Sequence, residues 1–252
     1  MRIVIYPTYE ALSAQVAACV MQLMPAYDQP LLCPASGDTP AGLYRAMANT
    51  YQQTQYANWN FVGLDEWVGL NGNDEGSCRY SINRELFQPL GIPGNNICFF
   101  DGRSTDLQGE CRRTEQFISE KNGIDVAILG VGMNGHIAMN EPGTAKDSRT
   151  QVVTLHPVTK KVGQKYFTRP QALDKGITLG MGTLLESRHI ILMASGKHKA
   201  VIVQKMLERP PTNELPASLL LQHPSVTVFL DADAAACLSN RDLYEEDEDN
   251  RG

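Results

Sequence analysis

The sequence predicts an α/β fold: a single domain built on a doubly wound, mostly parallel sheet with helices on both faces. Three observations carry that reading. Short strand-like apolar runs alternate with segments of helical period from end to end. No Pro/Gly/Ser-rich linker interrupts the alternation. The 252 residues, 42% of them hydrophobic, suffice to bury one large core.

Taken in order, Arg2–Tyr6 is the first strand, and residues 10–24 place Leu12, Val16, Ala17, Val20, Leu23 and Met24 at helical spacing. Residues 30–33 are the second strand. Pro40-Ala41-Gly42-Leu43 opens the next helix, with proline at a first position where its missing N–H is no loss. Residues 60–64 are a third strand and 77–90 a helix closed by Pro-Leu-Gly. Strands at 96–100 and 125–129 flank a polar helix over 105–121, and apolar runs at 190–194 and 226–230 bracket a Lys-rich helix at 197–208. The folded domain spans residues 1–240. Residues 241–252 read as an acidic flexible tail, because six acids against two arginines place −4 of the net charge of −6 there.

The near-neutral body lacks the basic footprint of a nucleic-acid binder. No apolar stretch approaches the ~20 residues of a membrane-spanning helix, and Met1 to Pro7 reads as a strand rather than a signal peptide. The expected location is therefore cytoplasmic. Six scattered cysteines (19, 33, 78, 98, 111 and 237), with no CxxC pair, read as reduced structural thiols, and no zinc spacing is present.

In a parallel sheet of this kind ligands bind beyond the carboxyl ends of the strands, and four such places stand out. Ser36-Gly37-Asp38-Thr39-Pro40 is a small-residue turn opening a helix, suited to an anion at the positive end of a helix dipole; a tight turn capped by Asp38 or Thr39 is the plainer alternative. Asp65-Glu66 follows a strand. Neighbours in an extended segment point to opposite sides, so one of the two faces a cleft as a candidate general base, unless both sit on a surface turn. Gly130-Val131-Gly132-Met133-Asn134-Gly135-His136 matches the dinucleotide fingerprint formally, yet a polar loop ending at Pro142 follows where a helix is required. That segment reads instead as a catalytic loop carrying His136, Asn134 and Glu141. Ser195-Gly196-Lys197-His198-Lys199 opens a helix with lysines at the end where cations are unfavourable, which hints at a bound anion or at ordinary surface lysines.

Together with Gly176-Ile177-Thr178-Leu179-Gly180-Met181-Gly182 and Pro216-Ala217-Ser218, these segments resemble the glucosamine-6-phosphate deaminase/isomerase family, which shares its fold with 6-phosphogluconolactonases. The likeness runs from about residue 2 to 238. It implies that Asp65 moves a proton between C2 and C1 of the opened sugar, that His136 helps open the pyranose ring, and that Asn134 and Glu141 hold the imidazole. It also implies a substrate phosphate on Ser36, Gly37, Asp38 and Thr39, with Lys165 and Lys199 as counter-charges. No metal, nucleotide or other cofactor is implied. The implied reaction takes glucosamine 6-phosphate to fructose 6-phosphate and ammonia, through an imine that water hydrolyses.

Three features bear on the choice within the superfamily. Lactonases follow the Gly-His motif with a Ser-Leu-Phe-Pro-like segment, whereas this chain has Met139-Asn140-Glu141-Pro142, and Trp67 stands where lactonases carry Arg. Asp65-Glu66-Trp67, Gly76-Ser77-Cys78 and Lys165 are similar to galactosamine-6-phosphate deaminase/isomerases, the alternative substrate class. Gln151 and Val153 stand where allosteric members carry basic residues, which implies no activation by N-acetylglucosamine 6-phosphate there. A non-catalytic sugar-phosphate sensor is the remaining alternative, opposed by the intact Asp65, His136 and Glu141. Relatives exist as monomers and as larger assemblies, so a homo-oligomer stays open.

Overall fold

The computed structural model describes residues 1–239, 241 and 244–246. Eleven strands are present among them: β1 (Arg2–Tyr6), β2 (Leu31–Cys33), β3 (Asn60–Val62), β4 (Asp65–Trp67), β5 (Ile97–Cys98), β6 (Val126–Gly130), β7 (Gln151–Thr154), β8 (Lys175–Thr178), β9 (His189–Ala194), β10 (Val226–Asp231) and β11 (Glu245–Glu246). Eight of them form one parallel sheet in the order β11-β1-β10-β9-β6-β2-β3-β5.

The sheet is covered on both faces, and the sequence shows why. Its strands are near-continuous apolar runs whose alternate residues enter two separate cores. Ile3, Ile5, Leu31, Cys33, Ala127, Leu129, Ile190, Leu192, Val228 and Leu230 face one way. Val4, Tyr6, Leu32, Val126, Ile128, Ile191, Met193 and Phe229 face the other. The second face is covered by α1 (Tyr9–Leu23) and α2 (Asp38–Thr50), and by α3 (Cys78–Ile82), which runs through a π-helical turn at Asn83–Phe87 into α4 (Gln88–Leu90). Thr8 starts α1 by accepting from the Ala11 N–H at 3.2 Å, and Leu12, Val16, Ala17 and Val20 form its buried stripe. The first face is covered by α5 (Leu107–Glu120), α7 (Met181–Leu185), α8 (Ala200–Glu208) and α9 (Pro216–Leu219). Between α5 and α7 in the chain lies α6 (Pro157–Gly163).

The structure adds one element to the expected sheet. A second, antiparallel sheet, β4-β8-β7, accompanies the large one, with Asp65 opposite Thr178 and Trp67 opposite Gly176. The third strand ends at Val62 rather than 64, and Asp65-Glu66 is a strand rather than a surface turn. In the acidic segment, Glu245–Glu246 pairs in parallel with Val4 and Ile5. Residues 240, 242–243 and 247–252, on which the rest of the tail expectation falls, lie outside the described residues. Among the described residues no helix is long and apolar enough to cross a membrane.

Candidate active site

The chain leaves β2 towards β3 on one side, whereas β6 has β9 on its other side, so the loops after β2 and β6 diverge and leave a crevice at the strand ends. A cavity of about 180 Å³ occupies it, lined by the loop after β2, the loop after β6, Asp65, α6 and two lysines.

The loop after β2 turns through Gly37 at φ 106°, a backbone conformation that disfavours a side chain, and a Cβ there would also press on the Tyr166 hydroxyl at 3.0 Å. α2 starts at Asp38, and no side chain caps its first turn, so neither Asp38 nor Thr39 is the cap that a plain turn would use. The Asp38 carboxylate forms an ion pair with Lys165 Nζ at 2.6 Å. Ser36, Gly37, Asp38 and Thr39 all line the cavity, so this uncapped helix start presents its positive end there.

Strand alternation separates the two acids as the sequence predicts. Asp65 lines the cavity while only 8% exposed, and burial pushes its carboxyl up to about 6, with a hydrogen bond from the Cys78 thiol pulling the other way. Glu66 points to the opposite side and is fully buried. Its Oε1 accepts from the Trp67 and Cys78 N–H groups at 2.9 and 3.0 Å, and its Oε2 from the Arg79 N–H at 3.0 Å. It anchors β4 to the start of α3.

The loop after β6 holds His136 through a chain of defined contacts. Asn134 donates through Nδ2 to Glu141 Oε2 at 2.9 Å, which leaves its Oδ1 to accept from His136 Nδ1–H at 2.6 Å. The Thr159 hydroxyl lies 3.2 Å and Glu141 Oε2 3.6 Å from the same Nδ1. These partners assign the Nδ1–H tautomer and leave Nε2 with its lone pair. Burial lowers the His136 pKa, with Lys199 and His156 adding to the effect and Glu141 opposing it, so the ring is neutral near pH 7. Gly132 lies under the imidazole: a Cβ there would stand 2.2 Å from the ring. The far side of the loop is tied down by the Ala217 N–H donating to the Gly135 carbonyl at 3.0 Å, which gives Pro216-Ala217-Ser218 its place.

Both predicted lysines reach the cavity. Lys199 donates to the Val131 carbonyl at 2.7 Å, and burial brings its ammonium down to about 8, with Lys165 lowering it further and Asp38 opposing. Burial also works against the Lys165 ammonium, yet the Asp38 partner wins and its pKa is raised. Among the described residues no group of three or more His, Cys, Asp or Glu side chains could hold a metal ion.

A carboxyl group and an imidazole thus share one cavity with an uncapped helix start and two ammonium groups. Comparison with known proteins places this arrangement. The family described as glucosamine-6-phosphate isomerases/6-phosphogluconolactonase is matched over residues 8–229. The chain belongs to that family. The "Glucosamine-6-phosphate deaminase" of Geobacillus sp. (strain WCH70) is 38% identical over 93% of this chain and 94% of the relative. "Glucosamine-6-phosphate deaminase 1" of Bacillus subtilis (strain 168) is 37% identical over 94% of this chain and 99% of that one. A solved structure described as a monomeric glucosamine-6-phosphate deaminase superposes with a TM-score of 0.89 at 37% identity, covering 94% of this chain and 100% of its own.

Seen as a member of this glucosamine-6-phosphate isomerase/6-phosphogluconolactonase family, the chain brings all ten sequence-predicted residues to one place. Asp38, Asp65, His136, Lys165 and Lys199 line the cavity with Ser36, Gly37 and Thr39, while Asn134 and Glu141 stand behind the imidazole. Sequence reasoning missed α6, which brings Val158, Thr159 and Val162 to the cavity and whose His156 N–H donates to Glu141 Oε1 at 3.1 Å. Pro157 at its first helical position was an available signal. Cys78, quoted in the sequence only for a resemblance, also lines the cavity. Of the segment tied to allosteric members, Gln151 and Val153 lie on β7, and Arg149 pairs with Glu115 and Glu186 at 2.7 Å each.

Proposed function

We propose that this chain converts glucosamine 6-phosphate and water to fructose 6-phosphate and ammonia, with Asp65, His136, Asn134 and Glu141 as the catalytic set. The observation that carries the reading is the joint opening of Asp65 and His136 onto one cavity whose other walls are the Ser36–Thr39 turn, Lys165 and Lys199. The phosphate seats on the N–H groups of that turn and on the two ammonium groups, displacing the Asp38 carboxylate from Lys165. A lysine at 165 supplies charge without the bidentate fork of an arginine.

With the phosphate fixed, His136 Nε2 takes the proton of the C1 hydroxyl and delivers it to the ring oxygen. The C1–O5 bond breaks, and C1 becomes an aldehyde. Asp65 then removes the C2 proton, and the electron pair forms an enolamine as the C1 oxygen is protonated. The same carboxyl returns the proton to C1, which leaves an imine at C2. Water adds at C2 and ammonia departs, giving the ketose. Asn134 and Glu141 hold the imidazole tautomer through these steps, with the Glu141 charge 3.6 Å away to stabilise transient imidazolium. Each step needs only proton transfer near neutral pH, which a carboxyl raised to about 6 and a neutral imidazole supply.

The test is ammonia release from glucosamine 6-phosphate by the purified chain. Asp65→Asn should lower kcat by about 10²–10⁴-fold while the affinity for a non-reacting sugar phosphate stays within about twofold. Lactone hydrolysis in place of ammonia release would reassign the chain to the other branch of its family. Galactosamine 6-phosphate, going to tagatose 6-phosphate and ammonia, is the second reading. Trp67, Ser77-Cys78 and Lys165 favour it in sequence, and the two sugars differ only at C4. The ratio of kcat/KM for the two sugars decides between them.

A further inference from the structure

Asp231 ends β10 and is a buried carboxylate that the steps above do not use. In the sequence, Ser195-Gly196-Lys197-His198-Lys199 reads either as the seat of a bound anion or as ordinary surface lysines. The structure supplies the anion from the chain itself. β9 and β10 are parallel neighbours with Ala194 opposite Leu230, so Asp231, one residue on, meets the turn that leaves β9. Its Oδ2 accepts from the Ser195 hydroxyl, and its two oxygens share the Gly196 N–H at 3.0 Å each. Oδ1 also accepts from the Ala234 N–H at 2.7 Å. Gly196 sits at φ 87°, a conformation that glycine adopts freely but does nothing to hold. The carboxylate holds it. From this turn the bonds run on to the cavity: the Gly196 carbonyl accepts from the Lys199 N–H at 2.9 Å, and Lys199 Nζ donates to the Val131 carbonyl at 2.7 Å in the cavity wall.

We propose that Asp231 is a positioning residue for the substrate phosphate: by fixing the Ser195–Gly196 turn it sets where the Lys199 ammonium stands. The proposal rests on Lys199 being a counter-charge of that phosphate. Asp231 acts from behind the cavity wall, through this chain of bonds. The residue type fits the task. A carboxylate offers about four lone-pair sites and no donor, enough for the Ser195 hydroxyl and the Gly196 and Ala234 N–H groups together. An asparagine of the same shape offers one oxygen and turns its NH2 towards a donor. Lysine carries its charge on a flexible stem, so the ammonium is placed only as well as the backbone beneath it is held.

The test compares the full chain with its Asp231→Asn, Ser195→Ala and Lys199→Met variants and the Asp231→Asn/Lys199→Met double variant. Two quantities are read: kcat and KM for glucosamine 6-phosphate, and the Kd of inorganic phosphate, which needs no turnover. Lys199→Met should raise KM and the phosphate Kd by roughly 30-fold. Asp231→Asn should raise both by roughly tenfold with kcat within about twofold, the split that marks lost binding common to ground and transition states. Ser195→Ala, which removes one donor from the carboxylate, should raise both by about threefold. In the double variant the asparagine should add less than about twofold to Lys199→Met, because the two changes act on one ammonium. A cap that served stability alone would leave the phosphate Kd of the folded enzyme where it was.

A phosphate Kd unchanged in Asp231→Asn overturns the proposal, as does an asparagine effect that adds in full to Lys199→Met or falls on kcat instead of KM. Should Asp231→Asn not fold, an unchanged Kd in Ser195→Ala overturns it instead. An unchanged Kd in Lys199→Met refutes the phosphate seat itself, and the proposal with it. Weakened binding in Lys199→Met alone, by contrast, keeps the seat and refutes only the part given to Asp231.

Discussion

Asp65, His136 and Lys199 are each held away from their ordinary ionisation by burial, and the three shifts point to one working range. Burial raises Asp65 to about 6, lowers His136, and lowers Lys199 to about 8. Below about pH 6 the carboxyl keeps its proton and cannot take another; above about 8 an ammonium facing the phosphate is lost. The profile of kcat/KM should therefore rise through about pH 6 and fall through about pH 8. The alkaline fall should be weaker in kcat, because bound phosphate holds the Lys199 proton. A kcat/KM flat between pH 5 and 7 would contradict the assignment of Asp65. Strand alternation showed in the sequence that only one of Asp65 and Glu66 would face the cleft, while the choice of Asp65 came from the family resemblance. Ionisation was not legible: it comes chiefly from burial by segments distant in sequence and adjacent only in the fold.

At the scale of elements, the loop after β6 is a bracket for one imidazole. Its glycines serve that purpose: Gly132 leaves room for the ring that a Cβ would meet at 2.2 Å. Gly132→Ala should displace the ring from Asn134 and lower kcat by roughly 10²-fold. A kcat within twofold of wild type would show that the ring is not held there. The long parallel strands were readable as continuous apolar runs between turns. The small sheet was not, because β4 has three residues and β7 and β8 four each, too short to establish a period. The seven-residue α6 escaped for the same reason, although its first turn completes the His136 surroundings.

For the whole molecule, the site exacts a stability cost that pH exposes. Asp65 has a folded pKa raised from 3.8 to about 6. In that window the folded state keeps a proton that the unfolded chain has lost. The stabilising contribution is therefore complete below about pH 4 and disappears as pH rises through about 6, amounting to at most about 3 kcal/mol. Asp65→Asn should accordingly melt several degrees above wild type at pH 7.5 and above it by about a third of that difference at pH 4.5; an equal or lower melting temperature at pH 7.5 would show that burial of the charge costs nothing.

The central claim, that the Asp65 carboxyl carries hydrogen between C2 and C1, is tested most directly in the reverse direction. Fructose 6-phosphate and ammonium are incubated with the enzyme in deuterium oxide, and exchange of deuterium into C1 is followed by NMR. The account predicts exchange by the wild-type chain and none above background by Asp65→Asn, even with the ligand bound. Exchange by Asp65→Asn at the wild-type rate would contradict it.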